Sequence, residues 1–122
     1  MYLMPSAGAG MIVRMWRGWT TPSNADQYER VLTQQVIPAI AERGIRGVAG
    51  PAVLRREVDG EVEFTTVMTF EDDTGVEAFG GADGAAVVPK PARAVLARFD
   101  EYSVHGHLIG GLLTVERPAA AD

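Results

Sequence analysis

The sequence of 122 residues contains no cysteine, which excludes disulfides, thiolate nucleophiles and metal sites with cysteine ligands. It also contains no run rich in Lys or Arg, and its net charge is −5. Nucleic acids and anionic membranes bind proteins through positive patches, so we expect neither as a partner. A chain without disulfides suits the cytoplasm, which is the expected location.

Long apolar runs are missing as well. No segment approaches the roughly 20 apolar residues that a membrane-spanning helix needs. Residues 1–10 carry no Lys or Arg and are interrupted by Pro5, Gly8 and Gly10. They do not resemble a signal peptide, and we expect a flexible extension. Residues 11–109 are predicted to form one domain, and residues 110–122 an edge segment with a disordered tail.

The first half of the domain shows a strand pattern followed by a helix pattern. Residues 11–19 are rich in β-branched and aromatic side chains, which predicts a strand. Apolar residues recur at helical spacing over residues 25–40, and Thr21 or Ser23 is the expected cap of that helix. Pro38 has no N–H to donate and should kink or interrupt its last turns.

The second half begins with two strand patterns, at residues 52–58 and 61–70. Asp59 and Gly60 between them suit a tight type I′ hairpin. A capping box at residues 74–77 predicts the start of a short helix, and residues 99–108 form the last predicted strand. Strand, helix, strand, strand, helix, strand is the order of an α+β ferredoxin-like split β-α-β-β-α-β fold.

Both faces of the predicted sheet carry apolar residues. On the first strand, Ile12 and Trp16 fall on one side, while Val13, Met15 and Trp19 fall on the other. The domain's own helices can cover only one face. We therefore expect a homodimer with the sheets face to face. The alternative is a monomer whose second face carries only scattered surface hydrophobics.

Two segments resemble the antibiotic-biosynthesis-monooxygenase-like proteins. They are Met-Ile-Val-Arg-Met-Trp-Arg-Gly at residues 11–18, followed by Ala-Asp-Gln-Tyr at 25–28, and Arg-Phe-Asp-Glu-Tyr-Ser-Val-His at 98–105. The resemblance covers about residues 11–109 and implies a dimeric α/β barrel. Some members oxidise polycyclic aromatic substrates with O₂ without metal or flavin, so no cofactor is expected. Other members degrade haem.

The sequence departs from both active patterns of that family. Haem-degrading members use an Asn on the first strand, a Trp at the end of the third and a His on the following helix. Here the first strand has no Asn, Phe70 stands in place of the Trp, and residues 82–88 contain no His. This argues against haem degradation. The Asn and Trp that quinone-forming members carry near the third strand are missing too.

His105 and His107 are the two histidines of the chain, and both fall on one face of the last strand. His105 matches a histidine of the resembled closing strand and is the candidate general base. A structural hydrogen bond across the sheet or the dimer seam is the alternative. A His-x-His metal pair needs further ligands that the sequence does not offer, so no metal is expected.

Tyr28 and Arg14 are the candidate hydrogen-bond donors to a substrate. Tyr28 lies on the inner stripe of the first helix, and its alternative role is a buried tyrosine paired with backbone. Arg14 shares a strand face with Ile12 and Trp16. It either binds a ligand carboxylate or oxyanion, or pairs with Glu57 or Glu63, and we prefer the ion pair because a buried Arg needs a partner.

A set of aromatic and sulfur-containing side chains, with His107, is predicted to bind a flat aromatic ligand: Trp16, Phe64, Met68, Phe70 and Phe79. The alternative is an ordinary hydrophobic core. The leading hypothesis is a cofactor-independent monooxygenase-like enzyme acting on an aromatic or polyketide-type small molecule by base-assisted reaction with O₂. Its alternatives are an isomerase, cyclase or dehydratase that uses the same pocket, and a non-catalytic small-molecule-binding or interaction protein.

Overall fold

The computed structural model describes residues 2–3, 11–81 and 83–113. Most of the predicted N-terminal extension and the predicted tail lie outside these residues. The elements are β1 (Tyr2–Leu3), β2 (Ile12–Thr20), α1 (Ala25–Val31), α2 (Ile37–Glu42), β3 (Val48–Val58), β4 (Glu61–Phe70), α3 (Asp73–Gly80), α4 (Lys90–Arg93), β5 (Arg98–Phe99), β6 (Val104–His107) and β7 (Leu112–Leu113).

The main sheet has five antiparallel strands in the order β3-β4-β2-β5, and β6 also pairs with β2. The long hairpin β3–β4 thus lies on one side of β2, and the last strand segments lie on the other. This is the strand order of the split β-α-β-β-α-β fold, so the predicted fold class is confirmed. β1 and β7 form a separate two-stranded pairing.

The predicted last strand is divided in two. Asp100 follows β5 and donates its backbone N–H to the Arg17 carbonyl, while its own carbonyl accepts the indole N–H of Trp16 at 2.7 Å. After Asp100 the chain leaves β2 and runs beside residues 85–86. There the N–H of Ala86 donates to the Glu101 carbonyl. Pairing with β2 resumes at β6.

The helix after β2 is widened in its middle. Between α1 and α2 lies a π-helical segment, Leu32–Val36, in which the Ile37 N–H donates to the Leu32 carbonyl five residues back. Pro38 lacks an N–H and its ring crowds the carbonyl four residues before it, so the wider turn accommodates the proline. The predicted side-chain cap is not formed: the hydroxyls of Thr21 and Ser23 lie 3.1 Å from each other instead.

The β3–β4 hairpin has the predicted turn, with φ of 50° at Asp59 and 80° at Gly60. The predicted capping box of α3 is wrong. Asp72 caps this helix, because its Oδ1 accepts the N–H of Thr74 at 3.0 Å and that of Gly75 at 3.3 Å. An acidic N-cap also complements the positive end of the helix. No helix in the described part of the chain is long and apolar enough to cross a membrane.

The helices cover one face of the sheet, and the core beneath them consists of two clusters. One joins α1 and α4 to β4, and its largest members are Tyr28, Leu32 and Phe64. The other joins α3 to β2 and β4 around Phe70 and Phe79. The side chains that line a space between the two clusters form the candidate site.

The opposite face of the sheet, which we call the outer face, is apolar at its centre. Met15 is 42% exposed, Leu54 58% and Val104 61%. Strand pairing places Met15 beside both Val67 and Val104. Trp19 also lies on this face, where the guanidinium groups of Arg17 and Arg98 cover its ring.

Candidate functional site

A small cavity of about 40 Å³ lies between the sheet and the helices. We call it the Arg14 cavity. This volume holds a few water molecules. Its wall is apolar apart from a few polar side chains, and its lining residues are Arg14, Trp16, Tyr28, Leu32, Val36, Ile40, Pro51, Thr66, Met68, Phe79, Val87, Val88, Pro89 and Ala92.

Arg14 enters the cavity from the middle of β2. Alternation along the strand places it on the helix-covered face with Ile12 and Trp16, and it is only 6% exposed. Its guanidinium carbon lies 5.0 Å from the centre of the Phe79 ring. Burial lowers the pKa of Arg14, but an arginine remains cationic at any physiological pH.

The preferred pairing of Arg14 with Glu57 or Glu63 is wrong. Glu63 accepts a hydrogen bond from Arg56 Nε at 2.9 Å. The register places Arg14 opposite Met68 but Glu63 opposite Trp19, and five residues of strand correspond to about 17 Å. Glu57 lies one strand further away, opposite Val62. Strand register therefore separates both carboxylates from Arg14.

Tyr28 meets Arg14 at the same cavity from α1. It is 1% exposed, and its ring packs edge-on against Phe64 with the ring centres 4.8 Å apart. Burial raises the pKa of Tyr28, so its hydroxyl stays protonated and able to donate. Burial is the cause of this pKa shift, and no hydrogen bond contributes to it.

His105 stands beside Arg14 in the sheet but lines a different space. It pairs with Arg14 across β2 and β6. With His107 it borders an open groove of about 420 Å³, which we call the histidine groove and which is also lined by Ile12, Asp73, Val76, Glu77 and Gly106. The structure thus brings Tyr28 and Arg14 together at the Arg14 cavity. It places His105, the third catalytic candidate, beside Arg14 but at the histidine groove.

The imidazole of His105 is held by Ser103. The Ser103 hydroxyl lies 2.9 Å from the Gly84 carbonyl and 3.0 Å from His105 Nε2. A carbonyl oxygen can only accept, so the single hydroxyl hydrogen goes to Gly84. The hydroxyl oxygen then accepts a hydrogen from Nε2, which leaves the lone pair on Nδ1. Burial and, to a lesser extent, the charge of Arg14 lower the pKa of His105.

The predicted ligand-binding side chains divide among three places. Trp16, Met68 and Phe79 line the Arg14 cavity. Phe64 and Phe70 belong to the two core clusters and do not line that cavity. His107 lines the histidine groove.

Sequence reasoning missed part of the cavity wall. Val87, Val88 and Pro89 come from the connection between α3 and α4, and Pro51 lies at an irregularity of β3 between Ala49 and Ala52. The helical stripe that supplies Leu32, Val36 and Ile40 was visible as a periodicity. Ser103 carries no signal of its own, because its role depends on a contact with Gly84, 19 residues away.

No three His, Asp or Glu side chains lie close enough to hold a metal ion anywhere in the described ranges.

Comparison with known proteins gives a structural likeness. No family model matches the chain, and no curated protein matches it. Among solved structures it is similar to a crystal structure described as a "putative antibiotic biosynthesis monooxygenase" from Bacillus cereus, with a TM-score of 0.59 and 12% identity over 86% of this chain and 99% of that one. At this identity the likeness shows the fold, and it confirms the antibiotic-biosynthesis-monooxygenase-like fold predicted from the sequence.

Proposed function

We propose that this protein is a cofactor-independent monooxygenase-like enzyme that acts as a homodimer on a flat aromatic or polyketide-type small molecule. One observation carries the proposal. Two buried donors, the guanidinium of Arg14 and the hydroxyl of Tyr28, meet at one apolar cavity. The fold around them is shared with a protein described as an antibiotic biosynthesis monooxygenase.

The donors suit a reaction that builds negative charge on a substrate oxygen. When a base removes a proton from a carbon next to a carbonyl or phenol, the charge moves to that oxygen. Arg14 and Tyr28 stabilise it by hydrogen bonds in a site poor in water. The carbanion then reduces O₂ and forms a hydroperoxide. Loss of water converts a CH₂ group into a carbonyl, with one oxygen atom in the product and the other in water.

His105 is the proposed base. Its lowered pKa keeps it neutral near pH 7, and Nδ1 carries the free lone pair. It lies next to Arg14 but opens to the histidine groove, so the substrate has to extend from the Arg14 cavity past Arg14 to reach it.

Substrate binding requires the cavity to open. A small-molecule site typically measures about 300 Å³ or more, and the Arg14 cavity measures about 40 Å³. The segment with Val87, Val88 and Pro89 forms one wall of the cavity, and the N–H of the neighbouring Ala86 donates to the Glu101 carbonyl. We infer that this segment moves outward when ligand binds.

A second candidate function, a non-catalytic binding protein, is favoured by the same small volume. A cavity that opens only slightly would hold a small ligand but would leave no room for a reaction with O₂. An isomerase, cyclase or dehydratase would use the same residues without consuming O₂. Oxygen uptake separates the proposed enzyme from both alternatives.

The homodimer is proposed from the outer face. Its central residues Met15, Leu54 and Val104 are exposed apolar side chains on a sheet whose other face is covered by helices. A second copy would bury both outer faces at once.

An anthrone is a suitable probe, because its CH₂ group between two rings is acidic and its oxidation to the quinone is visible in absorbance. We expect oxygen uptake above the uncatalysed rate, with quinone formed in proportion. His105→Ala should lower the rate about 100-fold or more, while Gln27→Ala, at an exposed position of α1, should leave it unchanged. Uptake equal to the uncatalysed rate across a series of anthrones and phenols would remove the proposed function.

A further inference from the structure

Arg14 is a buried cation without a counter-charge in the described part of the chain. The residue is 94% buried, since 6% of its surface is exposed. Its guanidinium carries five N–H donors. None of the ion pairs found among the described residues involves it, and its pKa is affected by burial with no carboxylate acting against it.

The carboxylates that pair with arginine do so elsewhere. Each pairs with an arginine other than Arg14: Asp100 with Arg17, Asp26 and Glu29 with Arg55, Glu63 with Arg56, and Glu61 with Arg98. Asp73 and Glu77 line the neighbouring histidine groove, and neither forms an ion pair with Arg14 among the described contacts. The charge of Arg14 is thus directed at the cavity.

The contact with Phe79 accounts for only part of the stability of this buried charge. A guanidinium over an aromatic face is attracted by the ring, and the distance of 5.0 Å fits such a contact. A ring supplies no hydrogen-bond acceptor in the plane of the guanidinium, however. Desolvation of an ion costs more than one cation–π contact returns.

We propose that the Arg14 cavity is a binding site for an aromatic oxyanion, with Arg14 as its counter-charge and Tyr28 as a second donor. The fork of N–H groups fits the two oxygens of a carboxylate, or the adjacent oxygens of an ionised phenol or enol. Trp16, Met68 and Phe79 supply the apolar wall for the ring. If the bound oxyanion is the substrate, this proposal names the substrate class of the proposed enzyme and rests on the proposed function. Binding of the anion itself does not depend on that function.

The test compares an acid with its neutral isostere. 2-Naphthoate and 2-naphthamide have the same shape, and their binding is measured by isothermal titration calorimetry in a buffer without carboxylates. We expect naphthoate to bind about tenfold more tightly or better, because a charge-assisted pair is stronger than a neutral hydrogen bond. In Arg14→Met the ratio should fall to about one.

Two further variants complete the design. Arg14→Lys retains the charge and should keep a preference for the acid. Arg30→Met removes the same charge from an exposed position of α1 and should leave the ratio unchanged. Equal binding of acid and amide, no binding of either, or a preference that persists in Arg14→Met would overturn the proposal.

This outcome is independent of turnover. If naphthoate binds through Arg14 while no anthrone or phenol gives oxygen uptake, the anion site stands and the proposed monooxygenase function fails. If oxygen uptake occurs without any preference for the acid, the enzyme stands and the anion site fails.

Discussion

Arg14 and His105 stand directly opposite each other where β2 pairs with β6. Opposed residues share one face of a sheet and lie within reach of each other's charge. A protonated His105 would place a second positive charge beside a buried guanidinium. Arg14 therefore has two effects: it faces the cavity as a cation, and it helps to keep His105 neutral. Burial is the larger cause of the lowered pKa of His105, and the charge of Arg14 adds to it.

The first prediction concerns the titration of His105. In Arg14→Met the pKa of His105 should rise toward its ordinary value of 6.5, since the like charge is gone. The measurement is an NMR titration of the imidazole carbon-bound protons. Arg30→Met is the control and should leave the His105 titration unchanged. An unaltered His105 titration in Arg14→Met would show that the two residues are not coupled.

The same lowered pKa predicts a pH dependence of folding stability. The unfolded chain binds a proton at His105 more readily than the folded chain does. The contribution is therefore fully present above the unfolded pKa of 6.5 and is lost as the pH falls through the lower folded pKa. Between about pH 4 and 8, the free energies of unfolding of wild type and His105→Gln, measured by denaturant melts, should differ by a constant amount at high pH and change relative to each other as the pH falls. Parallel curves would contradict the assignment.

The second prediction concerns Ser103. The hydrogen bonds at the Ser103 hydroxyl place the imidazole hydrogen on Nε2. Ser103→Ala should release this constraint and give a mixture of the two neutral tautomers. Nitrogen-15 chemical shifts of the ring report the tautomer directly, and Ser103→Thr should retain the wild-type pattern. Wild-type shifts in Ser103→Ala would show that the serine does not position the ring.

The third prediction compares two glycines with positive φ. Gly84 has φ of 77°, and a Cβ there would lie 3.0 Å from the Ser103 hydroxyl. Gly44 has φ of 60° with open space around it. Gly44→Ala should cost about 1 kcal/mol for the backbone alone. Gly84→Ala should cost about 2 kcal/mol or more and also disturb the Ser103 contact.

Urea denaturation measures the free energies of both glycine variants, and the tautomer of His105 adds a second observable. Only Gly84→Ala should change the nitrogen-15 shifts of that ring. Equal losses of stability with unchanged shifts would mean that the contact between Gly84 and Ser103 does not matter.

The fourth prediction is that Arg14→Met stabilises the unliganded protein. Methionine has a similar length, fills the same space and removes a desolvated charge. We expect a gain of about 1 kcal/mol or more in the free energy of unfolding. Arg30→Met should change it by less than about 0.5 kcal/mol. A loss of stability in Arg14→Met would mean that the guanidinium is paired in the free protein.

The sequence was sufficient to predict the fold because local signals agreed with the global order. Asp59 and Gly60 fixed the hairpin through their tolerance of positive φ. Pro38 marked the disturbed turn of the first helix, since a residue without an N–H cannot complete the regular pattern. Each of these properties belongs to the residue itself and needs no knowledge of distant neighbours.

The site was harder to predict, because it depends on register and on contacts between distant segments. The preferred pairing of Arg14 with Glu57 or Glu63 rested on charge, whereas the strand register sets both carboxylates far from Arg14. His105, Tyr28 and Arg14 were grouped as catalytic candidates, but His105 lines the histidine groove whereas Tyr28 and Arg14 line the Arg14 cavity. Thr74 fitted a capping pattern, but Asp72 lies two residues earlier and its carboxylate accepts the N–H groups of Thr74 and Gly75, so the helix begins before Thr74.

The last prediction concerns the homodimer proposed from the outer face. Met15 lies at the centre of that face between Val67 and Val104. Met15→Lys would bury two ammonium groups near the twofold axis of a face-to-face dimer, and buried charges without partners are strongly unfavourable. Wild type should sediment with twice the chain mass at micromolar concentration, and Met15→Lys with the mass of one chain. Gln35→Lys adds the same charge to an exposed helical position and should remain dimeric. A wild-type protein that sediments as one chain would remove the homodimer, and a Met15→Lys variant that still sediments as a dimer would move the interface to another surface.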